Sequence, residues 1–127
     1  MNREEILLFE KIHAQLSSFY EDVTMLVKKN PKDEMNTFKL KLINKALERA
    51  NQIIGDLKPF DDFDQFDIDG DMPNNSDVAI ILGQYINCMD VLKKDNVHIF
   101  SGRWYWKIEG DSKSKEICTS APVDLKR

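Results

Sequence analysis

The sequence predicts an α+β fold, mainly α: a three-helix antiparallel bundle followed by a small C-terminal antiparallel β-meander. Three observations carry this. Apolar residues recur at alternating spacings of three and four up to residue 57 and again from 78 to 92, the period of a helix with one buried stripe. The period then drops to two on either side of Ser101-Gly102, the mark of a hairpin. A chain of 127 residues, 42% apolar and 31% charged, has the size and composition to hold one core without a metal or disulfide staple. The folded unit is expected over residues 1–120, with 121–127 a loose tail.

The first helix is expected from about residue 3 to 29. Phe9, Ile12, Leu16, Phe19, Val23 and Leu26 fall on one stripe. Asn2 with Glu5 resembles a capping box, Lys28 and Lys29 suit the negative end of the helix dipole, and Asn30-Pro31 stops the run. A second apolar set, Ile6, Leu7, Leu8, Tyr20 and Val27, suggests a homodimer through this helix, since two-fold pairing is the commonest way to cover surplus apolar surface.

Asp33 is an N-cap candidate for the second helix. Its seam is Ile43, Ala46/Leu47, Ala50, Ile53/Ile54 and Leu57, and Gly55 and Pro59 bracket its end. Residues 58–75 form a connection too long for a plain turn, in which Phe60, Phe63, Phe66 and Ile68 can pin it to the helices. Ser76 or Asp77 is expected to cap the third helix, whose stripe is Val78, Ile81/Leu82, Tyr85, Met89 and Leu92 and which ends at Asp95-Asn96. The hairpin register sets Ile99 opposite Trp104 and Val97 opposite Trp106. One face then carries Val97, Ile99, Trp104, Trp106 and Ile108, and the other His98, Phe100, Arg103, Tyr105 and Lys107. A turn near Asp111-Ser112 returns a third strand over 115–120. A winged-helix DNA binder is the runner-up, but long first helices and an acidic connection argue against it.

The formal charge is −4, and its distribution is uneven. Residues 56–77 carry one basic and eight acidic groups, a charge of −7, against +1 before them and +2 after. An acidic balance disfavours general nucleic-acid binding. Two cysteines, Cys88 and Cys118, fit free thiols in the cytoplasm better than an oxidised framework. No window is long and apolar enough for a membrane span, and the charged first residues do not read as a signal peptide. Phosphate-cradling glycine loops, nucleophile elbows and Cys/His clusters are all missing from the sequence, so no catalytic residue and no cofactor is expected.

Four constellations remain. Glu10-x-x-His13 has the spacing of a di-iron ligand pair, yet a second such pair is wanting, and His13 reads as a boundary residue with a solvated tip. Asp61, Asp62, Asp64, Asp67, Asp69 and Asp71 crowd one loop. Asp67-Ile68-Asp69-Gly70-Asp71 is similar to the middle of an EF-hand loop, but the alignment puts Gln65 and Ser76 at the two strongest ligand positions. Six crowded carboxylates repel unless something cationic offsets them. His98, Arg103, Tyr105 and Lys107, with Phe100, interleave aromatic and basic groups as binding faces do. Helix carboxylates Glu4, Glu5, Glu21, Asp22, Glu48 and Asp90 lack the clustered spacing of magnesium-dependent pyrophosphohydrolases. The expectation is therefore a small acidic cytoplasmic interaction module of the immunity, antitoxin, inhibitor or chaperone kind. It docks a protein partner with a basic surface through the Asp loop, or through the exposed hairpin face. A divalent-metal module or metal-dependent hydrolase is the alternative.

Overall fold

The computed structural model describes residues 1–123. Three helices, α1 (Arg3–Lys29), α2 (Thr37–Ile54) and α3 (Asn75–Asp95), precede a three-stranded antiparallel sheet of β1 (Val97–Phe100), β2 (Arg103–Trp106) and β3 (Cys118–Thr119). A short 3-10 turn, Gly55–Leu57, follows α2. Of the expected tail, residues 121–123 are in neither helix nor strand, and 124–127 lie outside the described residues.

α1 has its expected bounds. The Asn2 side chain accepts from the Glu5 N–H while the Glu5 carboxylate accepts from the Asn2 N–H, so two otherwise unpaired donors are satisfied reciprocally. Its buried stripe extends one turn further than expected, because Ile6 sits three residues before Phe9 and is buried with it. Ile6 therefore leaves the second apolar set, and Leu8 and Val27 are half-buried against the core. Leu7 and Tyr20 stay exposed, 13 positions apart along the helix. The face on which a homodimer was expected is thus reduced to scattered residues.

α2 begins at Thr37 rather than at Asp33, with Asn36 as its cap. The intervening residues are committed elsewhere. Met35 is buried and its N–H donates to the Pro73 carbonyl; the Asp33 and Pro31 carbonyls accept from the Asn75 and Ser76 N–H groups. The connection before α2 thereby clamps the start of α3. That start is also shifted: Asn74 caps α3 in a reciprocal bond pair with Asp77, so neither Ser76 nor Asp77 is the cap. Leu57, expected in the seam, is 60% exposed, because the helical period ends at Ile54 and the 3-10 turn swings it outward.

The clamp fixes the bundle's direction. α3 starts beside the start of α2, so both run opposite to α1, and the long connection must return along α2 (about 27 Å of helix) before α3 can begin. α1 packs against α3 and α2 through Phe9, Ile12, Leu16 and Val23, meeting Leu40, Ile43, Leu47, Ala50, Val78, Leu82, Tyr85 and Met89 in one cluster. Tyr20 lies over Gly83, where an added Cβ would fall 3.3 Å from its ring. No helix among the described residues is long and apolar enough to cross a membrane.

The hairpin has the expected register, with Val97 opposite Trp106, His98 opposite Tyr105 and Ile99 opposite Trp104. Ser101 at φ 50° and Gly102 at φ 75° make the primed turn that matches strand twist. Trp106 is fully buried and meets Phe9 edge-on at 5.0 Å between ring centres. The inward face holds only at the base, however. Trp104 is half-buried and Ile99 is 56% exposed, because the tip projects beyond the helices. β3 is shorter than the expected 115–120. Ile117 still faces the core and its carbonyl accepts from the Trp106 N–H, but Lys115 and Glu116 bond to other partners.

Candidate functional site

The acidic connection is a fixed structure. Asn44, buried on α2, donates through its amide to the Phe66 carbonyl at 2.9 Å and accepts from the Phe66 N–H at 2.8 Å. This side chain pairs with the loop backbone as a neighbouring strand would. About two turns further along α2, Asn51 donates to the Asp64 carbonyl and accepts from the Tyr85 hydroxyl at 2.7 Å. The Phe63 ring meets Phe66 and Tyr85 edge-on. Phe63, Phe66 and Ile68 pack on the core as expected, while Phe60 is exposed.

All six aspartates, Asp61, Asp62, Asp64, Asp67, Asp69 and Asp71, are solvent-exposed. The Asp67 carboxylate accepts from the N–H groups of Asp69 and Gly70 and lies where a side chain on Gly70 would clash, at 2.4 Å. Asp64 is paired with Lys58 at 2.5 Å. Among the described residues no three His, Cys, Asp or Glu side chains converge as a metal site requires. The loop therefore presents its carboxylates outward along a surface rather than inward around a point.

The four hairpin residues fall in two groups. His98 and Lys107 border a cleft of about 590 Å³ with Ile99, Phe100, Ser112, Lys113 and Lys115. His98 Nε2 lies 2.6 Å from the Ser114 carbonyl; a carbonyl only accepts, so this nitrogen carries the proton. The Lys115 ammonium sits 3.6 Å above the Phe100 ring, within cation–π range. Tyr105 is half-buried and stacks obliquely on His98 at 6.0 Å. Arg103 is exposed beside the turn, away from the cleft lining. Lys113 and Lys115 were not singled out from the sequence, because their position over the hairpin depends on how the 109–116 turn folds back.

The Glu10-x-x-His13 pair serves the fold. The Glu10 carboxylate accepts from the Trp106 indole N–H at 2.6 Å and from the Thr119 hydroxyl at 2.7 Å. His13 bonds Asp90 of α3 at 2.7 Å and stacks on Phe9. His13 is therefore not the solvated boundary residue expected. Lys93, in the last turn of α3, is buried and donates to the Ser120 hydroxyl. Burial pushes the Cys88 thiol up, which disfavours the thiolate a nucleophile needs. The sequence matches no family model, and no curated protein or solved structure is significantly similar to it.

Proposed function

We propose that the protein is a non-enzymatic interaction module that docks a partner with a basic surface through the loop carrying Asp61 to Asp71. One observation carries this reading. The six carboxylates are exposed on a backbone fastened by Asn44, Asn51, Phe63 and Phe66. Asp64 has a cationic partner in Lys58; among the described residues the other five have none, and holding like charges together opposes folding. A charged surface already ordered in the free protein loses little conformational freedom on binding. The metal alternative has less support, since the carboxylates do not converge.

The test uses a lysine-rich peptide as probe, with calcium, magnesium and manganese titrated in parallel. The expected result is saturable, salt-sensitive peptide binding that is lost when the six aspartates become asparagines. Asparagine retains the oxygen that Asp67 uses to hold the loop. A metal at about 100 times its dissociation constant would stabilise by about 2.7 kcal/mol. Such a rise in Tm, without peptide binding, would replace this reading by the metal one.

A further inference from the structure

The hairpin carries a second surface, opposite in charge to the Asp loop. In the sheet order β1-β2-β3, β1 is an edge. A two-residue turn makes Phe100 and Arg103 a mutually hydrogen-bonded pair, and alternation makes His98 and Tyr105 the next. The Trp106 N–H, which points to Ile117 instead of β1, follows that alternation. The N–H and C=O of Ile99 therefore point away from β2, and neither finds a partner among the described residues. Natural edge strands are blunted by lysine, proline or a covering segment; Val97-His98-Ile99-Phe100 contains neither residue. Ile99 and Phe100 are 56% and 49% exposed.

The cleft runs along this edge. It touches His98, Ile99 and Phe100; His98, Phe100 and Lys107 share one sheet face, and Ile99 between them brings the open edge of β1 into the lining. Ser112, Lys113 and Lys115 of the following turn line it as well, with Lys107. Three lysines and a histidine line it without one carboxylate. The nearby Asp111 side chain is turned onto the Lys113 N–H.

We propose that this cleft takes an extended acidic segment of a partner protein by strand addition to β1. The main chain of the segment pairs with Ile99, its apolar residues lie against Ile99 on one face, and its carboxylates meet Lys107, Lys113 and Lys115 on the face that carries Phe100. Main-chain pairing supplies affinity and alternate side chains supply selection, as in other strand-addition complexes. An open main-chain donor and acceptor, an exposed apolar pair and an unopposed basic lining together favour this occupant over a free small anion, which would use the charge alone.

The probe is a peptide of about ten residues alternating Asp and Val, followed by amide NMR on the full chain. Shift changes are expected at Ile99, Phe100, Lys107 and Lys113, with slower hydrogen exchange at the Ile99 N–H. Lys113→Glu with Lys115→Glu is expected to weaken binding about tenfold or more, with Tm lowered by no more than a few degrees through the lost Lys115–Phe100 contact. The same peptide N-methylated at alternate residues should fail to bind. Equal binding of the methylated peptide, or of a Lys-Val peptide, would overturn the proposal, as would no change at β1 with millimolar peptide. The probe is opposite in charge to that for the Asp loop, so the two readings fail separately.

Discussion

Glu10 and His13 are one helical turn apart on α1, yet they fasten different elements. Glu10 holds β2 and β3, and His13 holds α3. Replacing Glu10 with Ala strands the Trp106 indole N–H at a fully buried residue, and a lost partner of this kind costs about 1–3 kcal/mol. Glu10→Gln retains an acceptor and should cost less; denaturant unfolding of the two variants checks the order. Trp106→Ala should cost roughly 3–5 kcal/mol, and Tyr105→Ala, half outside the core, well under that. Tyr85 sets a pH limit. Burial pushes its phenol from 10.0 up to about 12. The folded state therefore holds the proton more tightly. Stability from this group is full below about pH 10 and declines as pH rises from 10 to about 12, by roughly 2–3 kcal/mol in all. Urea unfolding across that window should show the decline, and Tyr85→Phe should flatten it.

Elements were legible in the sequence wherever a local signal decided them. The bounds of α1 follow from Asn2-Glu5 and Asn30-Pro31, and the hairpin register from Ser101-Gly102 between alternating runs. Errors fell where tertiary contacts decided. Asp33 looked like a cap, but its carbonyl is bound to Asn75 of α3, a residue 42 positions away. Ile99 alternates like a core residue, but alternation does not say where the helices beneath the sheet stop. Of the candidate sites, the Asp loop was legible as charge, while its fastening by Asn44 and Asn51 was not, because a helix asparagine shows no periodic signal. Two predictions belong to this scale. Ser101 sits at φ 50°, which costs an L-residue roughly 1–2 kcal/mol and asparagine less. Ser101→Asn should therefore raise Tm while leaving the hairpin register intact. Asn44→Ala removes both bonds to Phe66. Hydrogen exchange at residues 64–69 should accelerate strongly, with a smaller change in the exchange of α1 and α3.

At the scale of the whole molecule, charge is segregated. The acidic connection runs back along α2, past Tyr85 in the middle of α3, to the start of α3, and the basic hairpin cleft follows the end of α3. A chain with net charge −4 thus offers two surfaces of opposite sign at separate places. The Asp loop is proposed as a docking surface and not a solvated connector. Stopped-flow association with the lysine-rich peptide, comparing wild type with the variant in which the six aspartates are asparagines, tests it most directly. Steering by exposed charge acts on the encounter and is screened by salt. A docking loop predicts a much slower on-rate for the variant at low salt, a difference that closes at high salt, and a variant Tm no lower than that of wild type. Identical on-rates at low salt would contradict it.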